Sequence, residues 1–233
     1  MESDRHGAVA VVIGAGEGSR LGRLDRPKAF VSIGGRPMLA WAATAAGACP
    51  AVDSLVVVVP GGWEQEAAQS VEACGRPFTV IIGGGSRQAS VRAALEIVER
   101  DVRTVVVHDA ARPFASTELF TAVLDALDEN TPGAIPVVAV TDTVKRLHDG
   151  SVVGTLDREE LGLAQTPQAF HADVLRQAHM QACGSDLDLT DDAAVLEAAG
   201  YAVRAIAGDP MNIKVTTPSD LARAQTRIAG LHA

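Results

Sequence analysis

The stretch Ala8-Val9-Ala10-Val11-Val12-Ile13-Gly14-Ala15-Gly16-Glu17-Gly18-Ser19-Arg20-Leu21-Gly22 decides how the rest of the chain is read. Its first six residues are an unbroken apolar run, rich in β-branched side chains, as expected of a strand buried on both faces. Gly14, Gly16 and Gly18 follow at once. Glycines directly after a first strand let the main chain approach a ligand, and its N–H groups can ring a phosphate. Arg20 and then Arg26-Pro27-Lys28 bring a guanidinium and an ammonium to the same place. Two familiar loops fail on spacing. A dinucleotide fingerprint GxGxxG would need its third glycine where Ser19 stands, and an NTPase loop needs Gly-Lys-Ser/Thr, whereas no lysine precedes Lys28. A turn of purely structural purpose would leave the spacing of Arg20 and Lys28 without a reason.

Outward from this loop, short apolar runs alternate with amphipathic stretches. Leu55–Val59, Phe78–Ile82 and Thr104–Val107 read as buried strands, and Pro37–Ala48, Glu64–Cys74 and Arg87–Arg100 as helices between them. Strand alternating with helix predicts an α/β fold, a Rossmann-like mostly parallel sheet flanked by helices. In such sheets ligands sit beyond the carboxyl ends of the strands, so the loops starting at Gly14, Gly83 and His108 should converge on one crevice. After Ile135–Val140 the pattern changes. Thr143–Arg146 and Val152–Leu156 flank His148-Asp149-Gly150-Ser151, and Asp-Gly between such pieces predicts a projecting β-hairpin arm over about residues 141–160. Helices are expected at Asp173–Ala182 and Asp191–Ala199, and strands at Ala202–Ala207 and Ile213–Val215. A last helix should begin with Thr217 as N-cap and Pro218 in its first turn. With no repeat or linker, residues 1–233 read as a single domain with an arm.

The chain has 233 residues, a formal charge of −9 and 47% hydrophobic residues, enough for one sizeable core. No apolar run approaches the roughly 20 residues of a membrane span, and the start MESDRHGAVAVV does not resemble a signal peptide. Cys49, Cys74 and Cys183 lie far apart without a CxxC pair, so neither a disulfide framework nor a zinc site is encoded and a cytoplasmic location is expected. The negative charge argues against a nucleic-acid partner but leaves room for a basic pocket. Only Lys28, Lys145 and Lys214 are lysines among 20 cationic side chains, which marks them as places where a compact ammonium is wanted.

Further segments carry chemistry. Gly83-Gly84-Gly85-Ser86-Arg87-Gln88-Ala89-Ser90 opens a helix after a strand; its small residues could admit a flat base or ribose, with Ser90 hydrogen-bonding to it. In His108-Asp109-Ala110-Ala111-Arg112-Pro113, Asp109 ends a strand at the ligand edge, where a carboxylate can hold Mg²⁺ together with phosphate oxygens and water. His108 should point to the opposite face of the sheet and is read as structural. Asn212-Ile213-Lys214 can reach back to the same crevice, while Thr141 to Arg146, Asp157-Arg158 and Thr166-Pro167-Gln168 flank the arm. No Ser-His-Asp set, HExxH or nucleophilic cysteine signature appears. That suits a nucleophile that is already an anion, since a phosphate monoester has its second pKa near ~6. Its attack on an α-phosphorus needs positioning and charge neutralisation by Arg, Lys and Mg²⁺.

These motifs, GAGEGSRLG with PKAF, GGGSRQASV, HDAARP, TDTVKR, TPQAF, LTDDA and NIKVTTPSDL, resemble in content and order those of the 2-C-methyl-D-erythritol 4-phosphate cytidylyltransferase family. The resemblance runs from Val9 to the last helix. It implies that CTP and methylerythritol phosphate yield a CDP-alcohol and pyrophosphate with Mg²⁺, in non-mevalonate isoprenoid synthesis. Arg20 and Lys28 would bind the triphosphate, Lys214 would act at the α-phosphate, and Asp109 would contact substrate or metal. Gly14, Ala15, Gly16, Gly18, Gly84, Gly85, Ser90 and Ala110 would form the nucleotide site. Arg112, Thr141, Arg158 and Thr190 would join Asp109 around the alcohol phosphate. The resemblance also implies a homodimer in which the arm carries Thr141 and Arg158 into the partner's site. The chain departs from the family at Ile13-Gly14 and at Gly85, both beside the expected base. A ribitol 5-phosphate cytidylyltransferase and a non-catalytic nucleotide-binding regulator are the rival readings; a nicotinamide dehydrogenase is disfavoured by Ser19.

Overall fold

The computed structural model describes residues 7–16, 18–22, 25–183 and 189–231. Strand β1 (Ala8–Ile13) lies at the centre of an eight-stranded sheet, paired in parallel with β4 (Val52–Val59) on one side and β6 (Thr104–Asp109) on the other. Beyond β4 comes parallel β5 (Phe78–Ile82). Small ribbons β2 (Ser32–Ile33) and β3 (Arg36–Pro37) pair with each other outside this sheet. Beyond β6 the parallel order is broken. Strand β11 (Gln168–His171) inserts antiparallel between β6 and β7 (Gly133–Ala139). Antiparallel β10 (Gly162–Ala164) continues along β7, whose other pairing is with parallel β12 (Val203–Ala207). The expected mostly parallel sheet is present, with β10 and β11 as additions that simple strand–helix alternation does not announce.

The unbroken apolar run of β1 follows from its place in the middle. Ala8, Ala10 and Val12 join the core under α1 (Met38–Ala48), α2 (Glu64–Val71) and α4 (Thr117–Asp125). Val9, Val11 and Ile13 face the core under α3 (Arg87–Ile97), α5 (Ala172–Ala182) and α6 (Asp192–Ala198). A strand with helices on both sides needs apolar residues at every position. A third cluster under α7 (Pro218–Leu231) contains Leu21 and Val215, neighbours in sequence of Arg20 and Lys214. The two cation-bearing segments therefore rest on a common apolar base.

The helix boundaries agree closely with expectation. Pro37 is the N-cap residue of α1 rather than part of its first turn. Thr217 and Asp220 cap α7 reciprocally: the Asp220 N–H donates to Thr217 Oγ1 at 3.2 Å and the Thr217 N–H donates to the Asp220 carboxylate at 2.9 Å, a capping box. Ile213–Val215 is not a strand. It runs as irregular chain fixed by the Val215 N–H donating to Ala111 O at 2.8 Å. The arm consists of β8 (Lys145–His148) and β9 (Ser151–Thr155), a two-stranded sheet of its own. Asp149 and Gly150 both have positive φ, 47° and 75°, as a tight turn matched to strand twist requires. Leu147, Val152 and Val153 on the arm are 64%, 62% and 55% exposed, an apolar surface left open among the described residues. Among the described residues, no helix is long and apolar enough to cross a membrane.

Candidate active site

The carboxyl ends of β1 and β6 and the turn after β5 enclose a cavity of about 470 Å³, inside the range of roughly 300–1,000 Å³ typical of small-molecule sites. Twelve expected residues line it: Gly14, Ala15, Gly16, Gly18, Arg20, Lys28, Gly84, Gly85, Ser90, Asp109, Ala110 and Lys214. Arg20, Lys28, Arg87 and Lys214 supply positive charge, and Asp109 is the one carboxylate among the described lining residues. An acidic protein thus encloses a basic pocket, as an anionic ligand requires.

Gly18 has φ of 72°, and a Cβ there would come within 2.5 Å of Lys28 Cβ. The loop can therefore fold directly onto the lysine stem only with glycine at this position. The next residues anchor that stem from the other side, with Ala29 and Phe30 buried in the core. Burial and the nearby charge of Lys214 push the Lys28 ammonium down to about 8, against an opposing pull from Asp109. Arg20 is exposed at the rim, with no carboxylate partner among the described residues.

Asp109 is held from two sides. Arg87 Nε donates to its Oδ1 at 3.1 Å and Lys214 Nζ to its Oδ2 at 2.7 Å. Burial alone would raise its pKa, but these two cations hold the carboxyl well below the usual carboxylate range. The backbone below it is tied through a buried relay. The Asp109 N–H donates to Thr166 Oγ1 at 3.0 Å, and Thr166 Oγ1 lies 3.0 Å from His108 Nδ1, which accepts from the hydroxyl because the other ring nitrogen faces a carbonyl. His108 Nε2 then carries the proton and donates to Arg112 O at 3.1 Å. Burial pushes His108 down to about 4, so it is neutral, and its edge packs on Phe120 away from the cavity. It is not among the cavity-lining residues.

Lys214 sits on irregular chain but is not loosely held. Arg112 donates to Asn212 O at 2.8 Å and to Ala164 O at 3.1 Å. Gln165 Nε2 donates to Asp209 O at 2.8 Å, and Asn212 Nδ2 to Thr166 O at 2.8 Å. Arg112 is thus not among the cavity-lining residues; its guanidinium braces the segment that carries Lys214.

Ser90 is buried, and its hydroxyl donates to Ser86 O at 2.9 Å, leaving its oxygen as an acceptor toward the cavity. Thr141, Arg158 and Thr190 are exposed and do not line the cavity of their own chain. Arg158 Nη1 donates to Thr141 O at 2.8 Å across the foot of the arm. Ser86, Arg87 and Thr216 line the cavity without having been assigned a role from sequence. For Arg87 a signal existed: a cation in the first turn of a helix opposes the helix dipole, which points to carboxylates nearby.

Asp109 could hold Mg²⁺ on lone pairs not engaged by Arg87 and Lys214. Among the described residues there is no group of three His, Cys, Asp or Glu side chains that would bind a metal unaided. One carboxylate with phosphate oxygens and water is a usual Mg²⁺ set, so the residues fit an ion that arrives with a triphosphate.

Comparison with known proteins shows the family. The sequence profile of 2-C-methyl-D-erythritol 4-phosphate cytidylyltransferase matches residues 8–229. The protein of that name from Rhodococcus jostii is 42% identical over 222 residues, covering 94% of this chain and 94% of that one. A "Bifunctional enzyme IspD/IspF" from Solidesulfovibrio magneticus is 40% identical over 91% of this chain, which spans only 55% of that longer protein. Among solved structures, 2-C-methyl-D-erythritol 4-phosphate cytidylyltransferase from Thermus thermophilus superposes with a TM-score of 0.78 at 33% identity, covering 96% of this chain and 99% of that one.

Proposed function

Because the chain belongs to the 2-C-methyl-D-erythritol 4-phosphate cytidylyltransferase family, we propose that it joins CTP and 2-C-methyl-D-erythritol 4-phosphate to give 4-diphosphocytidyl-2-C-methyl-D-erythritol and pyrophosphate. The observation that carries this reading is the convergence of Arg20, Lys28 and Lys214 with Asp109 on one glycine-lined cavity. Near neutral pH the monoester is largely a dianion, its second pKa being near ~6. One of its oxygens attacks the α-phosphorus of CTP, and the bond from that phosphorus to the bridging oxygen breaks. Pyrophosphate leaves with the bonding pair, and no proton need be removed from the nucleophile.

The protein's work is to hold anions together and to neutralise the charge that builds up between them. Lys28, braced by Gly18, and Arg20 at the rim would grip the triphosphate. Lys214 would leave Asp109 for the α-phosphate. Asp109 would hold Mg²⁺ with phosphate oxygens, and the ion when bound neutralises triphosphate charge and orients the leaving group. The base would lie against Gly84, Gly85 and the acceptor oxygen of Ser90.

The alcohol phosphate would meet Thr190, with Thr141 and Arg158 coming from a second copy. The arm supports such a homodimer because its Leu147, Val152 and Val153 are exposed among the described residues, and an isolated hairpin is only marginally stable in water. The deciding test is pyrophosphate release from CTP with each of two alcohol phosphates. Turnover with methylerythritol phosphate and little with ribitol 5-phosphate is expected. Equal or better turnover of ribitol 5-phosphate refutes the substrate, and CTP binding without release from either marks a non-catalytic regulator.

A further inference from the structure

Arg87 is a cavity-lining cation that the reaction above does not use. It opens α3, where its charge opposes the helix dipole, and its side chain is only 23% exposed. Two carboxylates offset both costs. Nε meets Asp109 Oδ1 at 3.1 Å, and Nη1 lies 2.8 Å from Asp192 Oδ2. Asp192 is fully buried at the start of α6, and its other oxygen lies 2.9 Å from His179 Nε2. The segment 189–192, which leads into the start of α6, is fastened to the same place. Gln88, next to Arg87, donates to Leu189 O at 2.9 Å, and Gln168 of β11 donates to Asp191 Oδ2 at 2.9 Å.

We propose that Arg87 is a positioning residue that sets the spacing between two halves of the reaction centre: Asp109 with Lys214 on the nucleotide side, and the segment 189–192 on the side of the alcohol phosphate. The inference rests on the reaction proposed above and deepens it. A planar guanidinium bridges two carboxylates in fixed geometry, whereas an ammonium is a single point of charge. Arg87 also frees Lys214. When the lysine turns to the α-phosphate, Asp109 keeps a cationic partner, and a buried carboxylate is not left uncompensated.

The test compares Arg87→Met, Arg87→Lys, Asp192→Asn and the double variant Arg87→Met/Asp192→Asn in steady-state kinetics with both substrates. Hydrogen exchange of the ligand-free proteins is measured alongside. Arg87→Met should lower kcat about a hundredfold and raise KM for the alcohol phosphate about tenfold. Arg87→Lys should recover about tenfold of the lost kcat, because it keeps the charge but reaches only one carboxylate. The double variant should be within about threefold of Arg87→Met, since Asp192 acts through Arg87. Amides of residues 189–194 should exchange about tenfold faster in Arg87→Met, with the β1 and β4 core unchanged. Kinetics within threefold of wild type for Arg87→Met, or losses that multiply in the double variant, overturn the proposal. If Arg87→Met does not fold, Arg87→Lys and Asp192→Asn decide, and wild-type kinetics in both overturn it. A wild-type chain that releases no pyrophosphate refutes the reaction instead; Arg87 is then judged by exchange at 189–194, where no change overturns it.

Discussion

If Lys28 grips the triphosphate, CTP affinity must fall as pH rises through the pKa of Lys28 in the empty pocket. Burial and the charge of Lys214 push that value down to about 8, with Asp109 pulling the other way. At pH 7 about nine-tenths of the side chain is then protonated, and at pH 9 only about one-tenth. A bound polyanion favours the ammonium and raises its pKa, so binding above pH 8 takes up a proton. Affinity is fully present below about pH 8 and is lost above it, by roughly five- to tenfold between pH 7 and 9 once solvent screening is allowed for. The triphosphate does not blur the window, because phosphate ionisation is complete above ~pH 6–7. Titration calorimetry in two buffers of different ionisation enthalpy reads both the affinity and the proton uptake. Lys28→Arg keeps its charge throughout the range and should bind with a flat pH dependence. A flat wild-type profile from pH 7 to 9.5, or the same slope in Lys28→Arg, refutes the reasoning.

The other predictions concern the remaining parts of the site. Lys214→Ala should cost on the order of a hundredfold or more in turnover, read by pyrophosphate release, with an unfolding midpoint close to wild type; near-normal activity would refute its role at the α-phosphate. Arg158→Ala and Lys28→Ala proteins, each inactive, should regain roughly a quarter of wild-type activity when mixed under conditions of subunit exchange, because half the dimers then hold one complete site. No recovery, with exchange shown independently, would place Arg158 in its own subunit's site or outside the reaction. His108 has its folded pKa lowered to about 4, so the unfolded chain binds the extra proton first. Its contribution to stability is present above pH 6.5 and lost as pH falls toward 4, on the order of 3 kcal/mol in all. Urea unfolding between pH 4.5 and 7 should therefore show a slope that His108→Asn abolishes; an unchanged slope in the variant would refute this assignment.

The parts of this molecule that were legible in sequence are those encoded by neighbours along the chain. β1 and its loop declare themselves by an apolar run followed by three glycines, and the Thr217 cap by Thr-Pro-Ser-Asp. The hairpin is announced by Asp149-Gly150, whose positive φ values the turn demands. β11 is hidden because only Ala169 and Phe170 are apolar within four residues, too few for a period to show. α4 escapes a reading by alternation because it leads to β7 on the far side of β11. Its own signals, Ser116 as N-cap and Leu119, Phe120 and Val123 on one face, suffice to find it. Least legible is the scaffolding of Lys214. Arg112 and Asn212 are 100 residues apart, and neither carries a local pattern that predicts their hydrogen bond. Sequence spacing identified cations that line the cavity; it could not separate Arg112, which braces a loop, from Arg20, which lies at the rim.

The ion pair between Lys214 and Asp109, 2.7 Å in the empty site, gives the pocket a threshold. A small anion arriving alone must compete with a carboxylate already in place, and against such a resident rival one weak contact gains little. On the reaction proposed above, a triphosphate would touch Arg20 and Lys28 as well, and so would offset what Lys214 gives up. Inorganic phosphate and other small anions would thereby compete poorly for a centre that would otherwise attract every anion nearby. Selection for length of charge, rather than for charge itself, is built into the resting state.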